Sequence, residues 1–186
     1  LEAVAPLQPQ RTVAVVGHQA EIVKQQIGAK FPAVEYALQS EMLGTGHAVQ
    51  QVEPLLRDFS GDIIVMCGDA PLVQTNTLKE LIQKRRASGA SASMMVAEAD
   101  NPGSYGRVIV EDGGRVSQIV EAKDATPEQL AVKYVNAGTY CFESSALWRH
   151  LAQIGNSNAS GEYYLTDVIG LMNGAGEGVI AQFVSE

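Results

Sequence analysis

Apolar positions fall into two alternating rhythms along the first half of the chain. Short, nearly unbroken apolar runs occur at Thr12–Val16 (TVAVV), Val34–Leu38, Ile63–Cys67 and Ala92–Glu98. Runs of this length with a β-branched bias read as strands buried on both faces. Between them the spacing lengthens. Ala20–Ala29 carries Ile22, Val23 and Ile27 at helical intervals. His47–Arg57 is helical in pattern, with Pro54 marking its last turn, and Thr77–Ser88 is an amphipathic helix with Asn76 as N-cap and Gly89 as stop. Strand and helix in regular alternation predict βαβ units, a parallel sheet and right-handed crossovers.

After Glu98 the rhythm changes. Arg107–Glu111 and Val116–Glu121 are short strands around Asp112-Gly113-Gly114, a hairpin signal. Thr126-Pro127-Glu128-Gln129 has the layout of a capped helix start, with Thr as cap, Pro first and Gln third. Val132–Val135 and Thr139–Phe142 read as strands on either side of an Asn136-Ala137-Gly138 loop. Ser144–Ala152 and Leu165–Met172 read as helices and Val179–Val184 as a last strand. No repeat, low-complexity segment or linker divides the chain, so residues 1–186 are taken as one domain.

The organising stretch is Asp62–Val73, DIIVMCGDAPLV. Its apolar run stops at Gly68-Asp69-Ala70-Pro71, where glycine frees the backbone and proline ends pairing. Asp69 thereby stands at the carboxyl end of what reads as a central strand, the edge at which open α/β sheets bind ligands. A lone carboxylate beside glycine suits Mg²⁺ carrying a phosphate, because magnesium takes one or two carboxylates and leaves other positions to the substrate. A solvated turn or helix-capping aspartate fits the same four residues.

Two more segments follow strands and would reach the same edge, Gln39–Ala48 and Asn136–Gly138. In the first, glycines flanking Thr45 leave backbone N–H groups open at a helix start, where partial positive charge favours anions. The Gln39 amide offers one donor side and one acceptor side, as the edge of a pyrimidine base requires. An ordinary strand-to-helix loop with Thr45 as N-cap accounts for these residues equally. In the second half Gly106 in a Tyr105-Gly106-Arg107 corner, the Glu121 carboxylate and the Asn136 carboxamide are apt for sugar hydroxyls and an amide substituent. Glu121-Ala122-Lys123-Asp124 also reads as a solvated charge run. Glu162–Asp167 reads as aromatic packing at a helix start, and His47 as a helix-start or packing residue.

Composition narrows the function classes. With 46% hydrophobic and 18% charged residues, 186 positions suffice for one globular core. A formal net charge of −8 disfavours a nucleic acid polymer as partner, and no apolar run is long enough for a membrane span. An acidic chain can still hold a phosphorylated small molecule through a metal, backbone N–H groups or a few placed cations. Cys67 and Cys141 lie in apolar runs and read as reduced core residues of a cytoplasmic protein. No H-x-x-H, C-x-x-C or G-x-S-x-G pattern supports a zinc site or a serine triad.

LQSEMLGTGHA, VMCGDAPL, YGRV, VEAKDAT, VNAGTY and GEYYLTDVI occur in one order. Together they resemble, from end to end, the uridylyltransferase domain of the bifunctional N-acetylglucosamine-1-phosphate uridylyltransferase/glucosamine-1-phosphate acetyltransferase family. The resemblance implies a Rossmann-like nucleotidylyltransferase fold: an α/β architecture with a mostly parallel sheet flanked by helices and a small β-rich sugar-binding portion. It implies transfer of a uridylyl group from UTP to N-acetylglucosamine 1-phosphate, with Mg²⁺, giving UDP-N-acetylglucosamine and pyrophosphate. Gln39 and the Gly44-Thr45 turn would read uracil. Cys67, Gly68 and Asp69 would lie along ribose and phosphates, with Asp69 as metal ligand and catalytic residue. Gly106, Glu121 and Asn136 would hold the sugar. The family's glycine-rich triphosphate loop with its first strand, a second metal-binding asparagine and the acetyltransferase half through which the family protein would be homo-oligomeric have no counterpart here. The resemblance therefore implies an internal fragment, inactive by itself. Another sugar-phosphate nucleotidylyltransferase, or a non-catalytic sugar-nucleotide-binding module, is the alternative.

Overall fold

The computed structural model describes residues 1–69 and 72–184. The Ala70-Pro71 step, expected to end the third strand's pairing, lies outside the described residues. β1 (Val13–Val16), α1 (Ala20–Lys30) and β2 (Glu35–Leu38) form a first unit in which the two strands pair in parallel. α2 (Thr45–Gln50) and α3 (Glu53–Leu56) follow, then β3 (Asp62–Met66), α4 (Thr75–Ser88) and β4 (Ala92–Glu98). The second half contains β5 (Arg107–Val110), β6 (Val116–Val120), α5 (Pro127–Leu130), β7 (Tyr134–Glu143), α6 (Ser144–Leu151), α7 (Asp167–Gly174) and β8 (Val179–Val184).

The main sheet is mixed, not mostly parallel. Its path runs β6-β5-β7-β4-β8, with β3 added along the other part of β7. β7 is antiparallel to β3, β4 and β5, and only β4 and β8 pair in parallel within it. The strand–helix rhythm does place β3 and β4 in the same direction, since both run against β7. It does not make them neighbours: the chain returns later and inserts β7 between them. β3 is consequently not a central strand, because β7 is its one described partner, and its residues are mostly half-buried.

Side chains alternate across β7 as a pleated strand requires. Tyr140 and Phe142 stack with ring centroids 5.6 Å apart and point into a core closed by Leu147 and Leu151 of α6 and Val168, Ile169 and Met172 of α7. Cys141, between them, faces the opposite layer with Met95 and Leu81 of α4. The body is thus a three-layer α/β/α arrangement.

Several local expectations are met. Thr126 and Gln129 form a reciprocal capping box on α5. Gly89 ends α4 in the left-handed region at φ 67°. Asp112–Gly114 turns β5 into β6. Others are corrected. The helix expected over His47–Arg57 is two short helices, and Pro54 sits in the first turn of the second, where its missing N–H costs nothing. α4 begins at Thr75 with Gln74 as N-cap and no side-chain cap bond, so Asn76 is inside the helix. Asn136–Gly138 is no loop. β7 runs through it as a bulge, with register shifting between Met94 and Val96 on β4. Gly138 takes φ 66°, which an L side chain tolerates poorly. Cys67 is exposed, not a core residue, because it lies one position beyond the last paired residue of β3. No helix among the described residues is long and apolar enough to cross a membrane.

Candidate functional site

The bulge in β7 is the centre about which the expected site residues gather. The Cys67 N–H donates to the Gly138 carbonyl at 3.2 Å, so the end of β3 is fastened to the bulge. A Cβ at Gly138 would lie 3.1 Å from the Cys67 sulfur. Gly68 and Asp69 follow immediately, both exposed. Asn136 shapes the same bulge: its Oδ1 accepts from the Gly138 N–H at 3.0 Å, and its Nδ2 donates to the Tyr140 hydroxyl at 2.6 Å. On the far side the Asn136 N–H donates to the Gly106 carbonyl at 2.9 Å. Gly106 is buried, and a Cβ there would meet both Glu121 carboxylate oxygens at 3.3 Å. Cys67, Gly68, Asp69, Gly106, Glu121 and Asn136 therefore form one continuous neighbourhood.

Gln39, Gly44 and Thr45 are attached from another direction. The Gln39 side chain is buried, at 8% exposure, and its Nε2 donates to the Gly44 carbonyl at 3.0 Å, closing the loop that leads into α2. That loop is zipped to Glu162–Leu165. Tyr163 N–H donates to Leu43 O at 2.8 Å, Gly46 N–H donates to Tyr163 O at 2.8 Å, and Leu165 N–H donates to Thr45 Oγ1 at 3.0 Å. The glycines serve this approach. Gly44 has φ 109°, and a Cβ on it would lie 2.6 Å from the Tyr163 carbonyl. The Gly46 N–H, expected to be open to a ligand, is occupied by Tyr163. Gly44 is the N-cap and Thr45 the first helical residue, with its hydroxyl engaged by Leu165 rather than capping α2.

One step further along the same segment, Thr166 donates its hydroxyl to Glu121 Oε1 at 3.0 Å. The segment 162–166 thus holds the Gly44-Thr45 turn with one end and Glu121 with the other. Sequence reasoning read it as structural packing and missed this double attachment. Thr166 carries no sequence signal for this role; that its hydroxyl is buried, and so needs a partner, shows only in the fold.

A cavity of about 340 Å³ opens beside Glu121, lined also by Asp124, Asn158, Tyr164, Thr166 and Asp167. Burial pushes the Glu121 carboxyl above the ordinary carboxylate range. The Thr166 hydroxyl opposes that shift, while Asp167, Asp124 and Glu162 add to it. Asp167 is raised for the same reasons, burial first and Asp124 second. The Cys67 thiol is raised first by partial desolvation, its sulfur lying against Gly138 although the residue is exposed, and then by the Asp69 charge; burial pushes Cys141 up to about 12, so neither is a ready thiolate. Gln39, Thr45, Asn136 and Asp69 do not line this cavity. No group of three or more His, Cys, Asp or Glu among the described residues forms a self-sufficient metal centre. A single exposed carboxylate, Asp69, fits a cation that takes most of its ligands from phosphate and water, as magnesium does.

Known proteins resemble this chain in sequence and in fold. The sequence profile described as nucleotidyl transferase matches residues 1–184. The chain is 45% identical over 97% of its length to the bifunctional protein GlmU of Shouchella clausii and 47% identical over 92% to that of Bacillus velezensis. It spans about two fifths of these relatives, 39% and 37% of their lengths. Among solved structures, a UDP-glucose pyrophosphorylase without ligand superposes with a TM-score of 0.70 at 18% identity, covering 98% of this chain and 76% of that one. A UDP-glucose pyrophosphorylase complexed with UDP-glucose gives 0.66 at 16% identity over 92% and 72%. At such identity the likeness is one of fold, an α/β nucleotidyltransferase fold with a mixed sheet between helices. With the profile match covering nearly every residue, the chain belongs to the nucleotidyl transferase family.

Proposed function

We propose that these residues form the uridylyltransferase part of a protein that joins UTP to N-acetylglucosamine 1-phosphate, releasing pyrophosphate and UDP-N-acetylglucosamine. One observation carries the reading. The segment Glu162–Thr166 ties the Gly44-Thr45 turn, whose Gly44 carbonyl holds the Gln39 amide that suits a pyrimidine edge, to Glu121, which suits sugar hydroxyls, so that one stretch of backbone supports base and sugar subsites in a fixed relation. In-line attack of a sugar-phosphate oxygen on the α-phosphorus of UTP needs little from the protein besides that relation and charge neutralisation.

The contacts support the following roles. Gln39 and the Gly44-Thr45 turn orient the base. The exposed end of β3, Cys67 through Asp69, runs beside ribose and phosphates. Gly106 leaves room for the sugar against Glu121, and one carboxylate oxygen of Glu121 is held by Thr166 while the other is free for a sugar hydroxyl. Asn136 keeps the bulge in shape with both of its amide atoms and can share the remaining amide hydrogen with a ligand. Asp69 would hold Mg²⁺, whose contribution when bound is to neutralise charge on the phosphates. Assembly into a homo-oligomer and a cytoplasmic location belong to the same reading.

The test is turnover of UTP and N-acetylglucosamine 1-phosphate by the full-length polypeptide carrying this chain, followed as pyrophosphate release. Asp69→Ala is expected to lower kcat by 10²-fold or more, on the order of removing one strongly placed electrostatic group, with sugar-phosphate binding weakened much less. Turnover near that of the parent removes Asp69 from the site. A clear preference for a different sugar phosphate or base in the parent redirects the reading to another nucleotidylyltransferase.

A further inference from the structure

His47 lies where two glutamine side chains converge. Gln39 Nε2 is 3.1 Å from its Nδ1, and Gln51 Nε2 is 3.1 Å from its Nε2. Each amide nitrogen is oriented by a second bond that only a donor can make: Gln39 Nε2 to the Gly44 carbonyl at 3.0 Å, and Gln51 Nε2 to the His47 carbonyl at 3.1 Å. Both amides thus ask the ring for an acceptor. A neutral imidazole has one acceptor nitrogen, and a protonated one has none. The two contacts cannot both be satisfied, and one must yield.

Burial decides which. Gln39 is 8% exposed, and an amide stripped of its partner there bears the full cost of desolvation. Gln51 is only half-buried and can turn its amide toward water or present Oε1 to the ring. His47 therefore accepts from Gln39 at Nδ1 and carries its own proton on Nε2. Gln39 Nε2 then has both hydrogens committed, one to Gly44 and one to His47, and cannot rotate. Its Oε1 accepts no hydrogen bond among the described residues and is not one of the buried unpartnered atoms, so it stands open.

We propose that His47 is the positioning residue that fixes Gln39 as an acceptor, and so determines the preference for uracil over cytosine. Uracil presents an N–H at ring position 3, which an outward Oε1 accepts. Cytosine presents a lone pair there, which the same oxygen repels. Without His47 the amide is held by the Gly44 carbonyl alone, so turning it over breaks one hydrogen bond instead of two and the opposite edge is offered more often. This inference rests on the reading of Gln39 as a base contact.

The test compares UTP and CTP with the full-length polypeptide, both as substrates and in equilibrium binding, for two replacements at one position. His47→Asn carries an Oδ1 close to the place of Nδ1 and keeps the acceptor for Gln39. His47→Gln reaches the place of Nε2 and keeps only the partner of Gln51. His47→Gln is expected to raise KM for UTP with kcat held and to lower the UTP:CTP preference roughly tenfold, the scale of one hydrogen bond in a specificity pocket. His47→Asn is expected to rescue most of that preference. A merely structural histidine predicts the same loss in both, and indistinguishable variants, or rescue by Gln and not by Asn, overturn the proposal. Gln39→Ala separates this failure from failure of the underlying reading. If Gln39→Ala abolishes the preference while His47→Gln keeps it, only the role of His47 falls. If Gln39→Ala keeps it, or the parent shows none, the base-contact reading falls and this inference with it.

Discussion

The two sheets of this molecule begin from the same kind of sequence and reach different states. VAVV in β1 and ASMMVAE in β4 are both apolar runs. In β4 the five residues Ala92–Val96 are all buried, four of them completely inaccessible, because β7 and β8 flank the strand and α4, α6 and α7 cover its faces. In β1, Val16 is buried but Val15 is 37% exposed. β2 ends in a Leu38 that is 55% exposed, and α1 has no buried residue. An apolar run specifies that a strand forms. Burial comes from neighbours that the run itself does not name.

The comparison is broken most directly by removing one large side chain from each sheet. Phe142→Ala, in the six-stranded body and fully buried, is expected to cost about 3–5 kcal/mol of unfolding free energy. Val15→Ala is expected to cost less than about 1 kcal/mol. Urea titrations of the two variants give the difference, and equal costs mean that β1 is buried in solution by something that these contacts do not include.

A smaller effect is expected where the first unit joins the body. Gly44→Ala places a Cβ at a positive φ and 2.6 Å from the Tyr163 carbonyl, so the loop must part from the Glu162–Leu165 segment. Gly89→Ala is the control: its φ is also positive, at 67°, but nothing lies within 4 Å of the added carbon. Backbone strain costs about 1–2 kcal/mol at Gly89, in the left-handed helical region, and up to about 3 kcal/mol at Gly44, whose φ 109° and ψ 176° are nearly confined to glycine. A penalty at Gly44 beyond that difference, with a loss of UTP binding that Gly89→Ala does not share, measures the zipper. Equal penalties and unimpaired binding discard it.

That zipper also shows what was legible in the sequence. Motifs with purely local physics were readable: the Thr126 capping box, the Gly89 stop and the Asp112–Gly114 turn depend on a few consecutive residues. The direction of β3 and β4 was readable from the strand–helix rhythm. The insertion of β7 between them was not, because it depends on a strand some forty residues later. The candidate residues were found as residue types, but their partners were not. Gly46 reads as an opening for a ligand, but its N–H is taken by Tyr163, 117 residues further on, and Gly44 is also a clearance for that residue. Asn136–Gly138 looked like a strand-end loop because glycine and asparagine interrupt strands. Only the pairing of β7 on both sides reveals a bulge. Thr166 carried no motif of its own, and its role became visible only with Glu121 beside it.

The smallest expected effect lies on the proposed sugar side and is a matter of pH. Glu121 is raised above the ordinary carboxylate range by burial, with Asp167, Asp124 and Glu162 adding to the shift against the Thr166 hydroxyl. A raised carboxyl means that the folded state binds the proton more tightly than the unfolded chain. Below the unfolded value, about 4.3 for glutamate, both states are protonated and the fold bears no charge penalty. As pH rises from there through the raised folded value, the unfolded chain ionises first and stability is lost. At neutral pH the carboxylate is therefore a net burden on the fold, kept near Gly106 with one oxygen on Thr166. Glu121→Gln is nearly isosteric, and its Oε1 can still accept from Thr166. It is expected to raise the melting temperature at pH 7, to match the parent at pH 3, and to flatten the decline between, while weakening binding of the sugar phosphate. Asp167, also raised, keeps part of the slope in that variant. A parent whose stability does not fall over this window, or a glutamine variant that is no more stable at pH 7, would mean that solvent reaches Glu121 freely, and the contrast between a strained pocket at the proposed sugar side and a relaxed structural core would go with it.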